Sequence, residues 1–132
     1  MNSETASVPS FNAPPVVEAQ TQQSASDRLW SVCCHLSYFF GFALLSFIFP
    51  LLVYLVMRTE SAYSTHHARE ALNFHLSILL YIICCVPLCL IVVGIPLLVL
   101  IGLAGVVCSI VAAVKASKGV FYEYPFAIRF VR

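Results

Sequence analysis

The chain has 132 residues, of which 61% are hydrophobic and only 10% are charged, and its net charge is +1. Its mean hydropathy is +0.93. A soluble domain of this length leaves much of its surface in water and carries about 25% charged residues, so the composition argues against a soluble fold. A near-neutral chain also lacks the basic surface that binds phosphates, which argues against nucleic acid as a partner. The lipid bilayer is the expected surrounding.

The N-terminal 28 residues form a polar leader. Residues 1–28 are rich in Ser, Gln, Thr, Ala and Pro, and their acidic residues are Glu4, Glu18 and Asp27. Because such a segment lacks the apolar side chains that a core requires, it is predicted to be a disordered tail. The remainder, residues 29–132, is predicted to be a transmembrane helical domain.

Two long runs without charged residues divide this domain. No Asp, Glu, Lys or Arg occurs in the 29 residues of 29–57 or in the 44 residues of 71–114. About 20 apolar residues suffice to cross the hydrocarbon core, so the longer run holds two crossings. They are predicted as helices over about 66–91 and 97–116, joined by a tight turn at 93–96.

The shorter run, 29–57, allows two interpretations. Pro50 cannot donate a hydrogen bond to the carbonyl of Ser46, so a bend or break is expected near 47–50. Either one kinked helix covers the run, or two short helices form a hairpin. The predicted fold class is therefore all-α, a polytopic transmembrane bundle with three to four helical segments.

The basic residues predict an orientation in the membrane. With a single first helix, six of the seven Lys and Arg residues lie on the side of the 58–70 loop and the C-terminus, and with a hairpin all seven do. Cytoplasmic loops are enriched in Lys and Arg, so this side is predicted to be cytoplasmic in a bacterial plasma (inner) membrane. The tail 119–132 alternates aromatic and charged residues and is predicted to lie along the membrane interface.

Polar residues recur on one face of the helix predicted from residue 66. Four of them follow at steps of four, three and four and form a stripe, with an arginine beside it: His66, Glu70, Asn73, Ser77 and Arg69. Polar groups within a membrane mark function or helix packing. We expect Arg69 and Glu70 to anchor the helix end at the interface and Asn73 to bind a neighbouring helix.

The predicted last helix has a face of small residues. Its members recur at spacings of three and four: Gly102, Gly105, Ser109, Ala112 and Ala116. Small side chains let membrane helices approach closely. This face is therefore predicted to pack against another helix, with self-association or other membrane proteins as the partners.

Nothing in the sequence predicts catalysis, a cofactor or a metal centre. A nucleophile–base pair, a Gly-rich phosphate loop and an HExxH motif are absent, and the six cysteines lie in the apolar runs, where they behave as small hydrophobic residues. A metal site at His66 and His67 is disfavoured because consecutive helical side chains point about 100° apart. We expect a protein that is not an enzyme.

Four blocks of sequence carry a family resemblance. They are Cys34–Ser37, Pro50–Leu55, His66–Phe74 and Tyr122–Phe130, in this order. Together they resemble the small bacterial membrane proteins of unknown function called Tic20-like, which are related to the chloroplast inner-envelope import component. The resemblance covers roughly 29–132 and implies a module of four helices, which favours the hairpin. It implies a role in protein translocation only by analogy.

Two functions from different classes are compatible with these features. The first is a non-enzymatic membrane protein that acts by helix packing with itself or within a larger membrane assembly. The second is a small transporter or channel subunit for protons, metal ions or small solutes. The second function requires a water-accessible cavity around Asn73 and His75.

Overall fold

The computed structural model describes residues 23–40 and 45–132, so most of the predicted leader, 1–22, lies outside the described residues. The described chain contains four α-helices and a short 3-10 turn: α1 (Ala25–Leu36), the turn Ser37–Phe40, α2 (Leu45–Met57), α3 (Ala62–Cys89) and α4 (Gly94–Ser117). No β-strand occurs in these two ranges. The prediction of an all-α fold is confirmed, with four helices.

Helix α1 begins before the predicted end of the leader. The side chain of Ser24 accepts a hydrogen bond from the Ser26 N–H at 3.2 Å, which caps the helix. Asp27 lies in the first turn, where a negative charge stabilises the positive end of the helix dipole. The charged pair Asp27 and Arg28 therefore belongs to the helix rather than to the leader.

The first apolar run contains two helices, but its break does not fall at Pro50. Pro50 lies inside α2, and the regular α-helix of α1 ends earlier, at Leu36. The missing donor at Pro50 leaves the Ser46 carbonyl without its helical partner. The hydroxyl of Ser37 donates to the Cys34 carbonyl at 2.7 Å and lies 3.4 Å from the Ser46 carbonyl oxygen, so it is a neighbour of that oxygen rather than a full replacement donor.

Helix α3 begins at Ala62, where the predicted segment began at 66. The Ser61 side chain accepts a hydrogen bond from the Ser64 N–H at 3.3 Å and caps the helix. Of the predicted 58–70 loop, only 58–61 lies outside a helix. Helix α4 likewise begins at Gly94 rather than 97, because Pro96 is tolerated in a first turn, where its missing N–H has no helical partner.

The bundle has two long helices and two short ones. Helices α3 and α4, with 28 and 24 residues, are long and apolar enough to cross a membrane. Their lengths are about 42 Å and 36 Å, against a hydrocarbon core of about 30 Å. Helices α1 and α2 have 12 and 13 residues and reach only about 18–20 Å. They flank the N-terminal half of α3, where Cys34, Val53, Ala68 and Ala71 form a buried cluster.

One end of the bundle, here called the polar end, gathers the chain segments that carry charge. The Tyr63 hydroxyl donates to the Ala116 carbonyl at 2.7 Å, which joins the start of α3 to the end of α4. The side chain of Arg28 lies against Gly119, so the start of α1 is at the same end. The turn 58–61 precedes α3 directly and also lies there.

The opposite end is an apolar hairpin, residues 79–107, made of the second half of α3 and the first half of α4. This segment contains no charged residue. Fourteen large hydrophobic side chains are exposed on it: Leu79, Leu80, Ile82, Ile83, Val86, Leu90, Ile91, Val92, Val93, Ile95, Val99, Leu100, Leu103 and Val107. Contiguous apolar surface on this scale is unfavourable in water and suits contact with lipid.

Gly105 provides the space in which the 3-10 turn after α1 packs against α4. A Cβ at this position would overlap the phenol ring of Tyr38, which is held against Phe74 and His75, whereas a Cβ at Gly102 would meet nothing within 4 Å. We expect Gly105→Ala to lower the free energy of unfolding by about 1–2 kcal/mol, because the ring must move. Gly102→Ala should raise it by up to about 1 kcal/mol through helix propensity.

Thermal unfolding of the two variants in detergent, followed by circular dichroism at 222 nm, checks this difference in sign. Both substitutions add one methyl group to the same helix, so their effects on helix propensity cancel in the comparison. Equal melting temperatures for the two variants would contradict the packing of Tyr38 on Gly105.

Candidate functional site

The C-terminal segment 119–132, here called the strap, lies along the polar stripe of α3. The carboxylate of Glu70 accepts a hydrogen bond from the Tyr124 N–H at 3.3 Å. The hydroxyl of Ser77 accepts one from the Ile128 N–H at 2.7 Å. The strap thus follows α3 over about two turns.

Asn73 holds the end of the strap. Its Oδ1 accepts hydrogen bonds from the N–H groups of Phe130 at 3.1 Å and Val131 at 2.7 Å. Its Nδ2 donates to the Val131 carbonyl at 2.9 Å. Asn73 is fully buried and binds main-chain groups of the strap. The expectation that it binds a neighbouring helix is therefore wrong.

Two further contacts to the strap lie at the ends of the stripe, one from its member His66 and one from Tyr81, which extends it. The Nε2 of His66 lies 3.3 Å from the Tyr122 carbonyl, and the Tyr81 hydroxyl donates to the Phe126 carbonyl at 2.8 Å. Sequence reasoning missed Tyr81. Its position four residues after Ser77 continues the spacing of the stripe, which was the available signal.

Arg69 and Glu70 occupy different environments, although both were expected to anchor the helix end at the interface. Glu70 is only 2% exposed and faces the strap, so it is a buried residue. Arg69 is half-buried, and its Nη2 lies 3.5 Å from Nδ1 of His66 at the edge of the stripe. The structure thus places four of the five predicted residues against the strap main chain, with Arg69 at its edge.

Tyr124 fixes the middle of the strap in the bundle. Its ring stacks on that of Phe74 with centroids 4.0 Å apart and an interplanar angle of 10°, and Ala112 completes the cluster. Burial raises the pKa of the Tyr124 phenol well above its usual value. The hydroxyl therefore stays protonated and retains a proton to donate.

Tyr124, His35 and His67 form a chain of hydrogen bonds that joins three elements. Nδ1 of His35 lies 2.9 Å from the Tyr124 hydroxyl, and Nε2 of His35 lies 2.9 Å from Nδ1 of His67. Both imidazoles are fully buried. Sequence reasoning placed His67 on the helix that became α3 but missed this link, because its two hydrogen bonds join residues that are 32 and 89 positions apart along the chain.

His75 is held within its own helix. Its Nδ1 donates to the Ala71 carbonyl at 2.6 Å, and its ring packs against the rings of Tyr38, Phe47 and Phe74. The water-accessible cavity that a transporter would need was expected beside His75 and Asn73. Both side-chain polar atoms of Asn73 are instead bonded to the strap.

The small-residue face of α4 packs inside the chain. Gly105, Ser109, Ala112 and Ala116 are buried, and Gly102 is half-buried. Tyr38 lies at Gly105, and the Phe74–Tyr124 stack lies at Ala112. This face therefore contacts α1, α3 and the strap of the same chain. A second protein would have to bind elsewhere.

Most polar side chains of the site bind other parts of the fold, whereas Nε2 of His67 and Nε2 of His75 are buried without a hydrogen-bond partner among the described residues. In residues 23–40 and 45–132, no three His, Cys, Asp or Glu side chains converge on a position for a metal ion. The arrangement instead binds an extended peptide segment by its main-chain groups, and three aromatic or imidazole rings lock that segment to α1 and α3.

A four-helix bundle with two helices long and apolar enough to cross a membrane, and with an exposed apolar hairpin, is typical of a small membrane protein. The sequence model of the MamF/MmsF family, described as the magnetosome magnetite crystal formation protein family, matches residues 26–131. The chain belongs to this family. Comparison with curated proteins and with solved structures gives no match.

Proposed function

We propose that this chain is a non-enzymatic protein of the magnetosome membrane that assists magnetite crystal formation as part of a membrane assembly. The observation that carries the proposal is the family match, which extends from α1 to the strap. Iron enters this proposal as the material of the mineral, and no iron-binding role is assigned to a side chain of the bundle. The magnetosome membrane replaces the plasma membrane that the sequence predicted.

The use of the polar residues supports a role without catalysis. An active site needs a side chain that is free to attack or to transfer a proton, with a second group oriented beside it. Glu70, Asn73 and Ser77 each bind strap N–H groups, and His35 binds Tyr124 and His67. These are the contacts expected of residues that build a scaffold.

We propose a multi-pass topology in which α3 and α4 cross the membrane and α1 and α2 enter one side of it. The lengths of α1 and α2 favour entry from one side without crossing, since a helix of about 20 Å does not span about 30 Å of hydrocarbon. Four basic residues lie at the polar end, namely Arg28, Arg58, Lys115 and Lys118, and the other three, Arg69, Arg129 and Arg132, line a pocket about two turns into α3 from that end. The positive-inside preference then places this end in the cytoplasm.

The apolar hairpin is the surface that we propose for assembly. The small-residue face of α4 is occupied by the chain itself, whereas side chains such as Leu100 and Leu103 are about 60% exposed, at 62% and 60%. In lipid, helices of other proteins can pack closely against these side chains. The family match is to proteins of magnetite formation. It therefore gives no support to the role in protein translocation that the resemblance to the Tic20-like proteins implied.

Complementation tests the proposed function. In a magnetosome-forming host that lacks its own family member, expression of this chain is expected to restore crystal length, measured by electron microscopy. The control is Leu100→Arg with Leu103→Arg, which adds about 2.5–3.5 kcal/mol per arginine to membrane insertion and should restore nothing. Crystals of the same length with and without the wild-type chain would overturn the proposal.

Proton movement is the second candidate, and one observation favours it. The chain Tyr124–His35–His67 links a phenol and two imidazoles, which are groups that pass protons. The expected result is faster collapse of a pH gradient in vesicles containing the wild-type chain than in vesicles containing His35→Leu. Equal rates would remove this candidate and leave the assembly role unaffected.

A further inference from the structure

A second polar region lies on the outer side of the strap. A pocket of about 340 Å³ is lined by Arg69 and Glu70 of α3 and by Arg129, Val131 and Arg132 of the strap. Two of its arginines reach it only because Asn73 holds the strap end against α3. The pocket is thus a product of strap docking rather than of local sequence.

The lining of this pocket is positively charged. Three arginines against one glutamate give a formal charge of +2. Glu70 is buried and turned to the Tyr124 N–H, and the exposed Glu123 pairs with Arg129. In the part of the chain that the structure describes, neither Arg69 nor Arg132 forms an ion pair. Two guanidinium groups are therefore available for an anion.

Guanidinium groups favour one class of anion. Their planar forks match the oxygen atoms of phosphates and carboxylates with two parallel hydrogen bonds. A volume of about 340 Å³ admits a phosphate group together with the atoms that bear it. Because the guanidinium groups of Arg69 and Arg132, which form no ion pair with the described residues, line the same pocket, a phosphate that spreads charge over several oxygens fits better than a single carboxylate.

The surroundings of the pocket favour a lipid as the source of that phosphate. On the same strap, Phe126 and Phe130 are 69% and 52% exposed, although they are large and apolar. Leu79, the first exposed side chain of the apolar hairpin on α3, lies ten residues beyond Arg69, or about 15 Å along the helix. Arginines beside exposed aromatic rings at the edge of an apolar surface are typical of headgroup depth.

We propose that Arg69 and Arg132 form a binding site for the phosphate of an anionic membrane phospholipid, beside Arg129, which is paired with Glu123. The site is independent of mineral formation, so it can exist whether or not the chain affects crystals. Its occupant would bridge α3 and the strap, because the arginines come from both. Lipid binding would then also hold the strap in place.

Lipid retention by the full chain tests this site. The protein is purified in a neutral detergent, supplied with equal amounts of phosphatidylglycerol and phosphatidylcholine, and examined by native mass spectrometry. The wild-type chain is expected to retain phosphatidylglycerol preferentially, and Arg69→Gln with Arg132→Gln should reduce that preference about tenfold. The matched control is Arg58→Gln with Lys118→Gln, which removes the same charge from exposed positions at the polar end.

The outcomes separate the possible explanations. An unchanged preference in the Arg69/Arg132 variant, or an equal loss in the Arg58/Lys118 variant, would overturn the site. Displacement of the lipid by millimolar inorganic phosphate, with tight retention of that phosphate, would assign the site to free phosphate and overturn the lipid as its source. Circular dichroism checks that each variant is folded. Arg69→Lys keeps the positive charge but loses the paired donors of the guanidinium, so it should give an intermediate preference for phosphatidylglycerol.

Discussion

Asn73→Ala is expected to release the end of the strap. The substitution removes three hydrogen bonds, two accepted from the Phe130 and Val131 N–H groups and one donated to the Val131 carbonyl. Because Asn73 is fully buried, the freed main-chain groups must either remain unpaired or move out to solvent. The cost is about 2–4 kcal/mol, and detachment of the strap is the less costly response.

Limited proteolysis in detergent measures this detachment. Trypsin should cleave after Arg129 at least about tenfold faster in Asn73→Ala than in the wild-type chain, because cleavage requires an extended, detached segment. The control is Tyr81→Phe, which loses one exposed hydrogen bond to the strap and should change the rate less than about threefold. Equal cleavage of Asn73→Ala and the wild type would mean that other contacts hold the strap.

The sequence predicted the long helices because the signal for them is local. A 44-residue run without charge must contain two crossings in lipid, whatever its detailed order, and α3 and α4 are found there. The polar stripe was also readable, since helical periodicity fixes which side chains share a face. What periodicity could not supply was the partner of that face.

The strap was missed as a partner because its information is non-local. It has no regular period, and its alternating aromatic and charged residues are equally typical of an interfacial segment. Its docking depends on main-chain N–H groups, which every sequence carries alike. The break in the first run was misplaced because Pro50 signals a lost hydrogen bond, and the loss of one bond does not by itself end a helix: α2 continues through Pro50.

His35→Leu is expected to produce the largest loss of stability in the bundle. Leucine removes both side-chain hydrogen bonds of His35. Two buried groups then lose their hydrogen-bond partner, the hydroxyl of Tyr124 and Nδ1 of His67. Each unpaired buried group costs about 1–3 kcal/mol, so the free energy of unfolding should fall by about 3–5 kcal/mol. The measurement is unfolding in mixed detergent micelles, followed by circular dichroism.

A double-mutant cycle distinguishes lost hydrogen bonding from lost packing. Tyr124→Phe removes the hydroxyl that His35→Leu would strand, so the double variant should be more stable than the sum of the single losses by about 1–2 kcal/mol. The neighbouring His66→Leu is the control: His66 is half-buried and has a contact of 3.3 Å to Tyr122, and its loss should cost less than about 1 kcal/mol. Strictly additive losses for His35 and Tyr124 would show that the two side chains do not depend on each other. The strap would then be held by the polar stripe and by the stack of Tyr124 on Phe74, and α1 would be anchored by the apolar cluster that contains Cys34 and Val53.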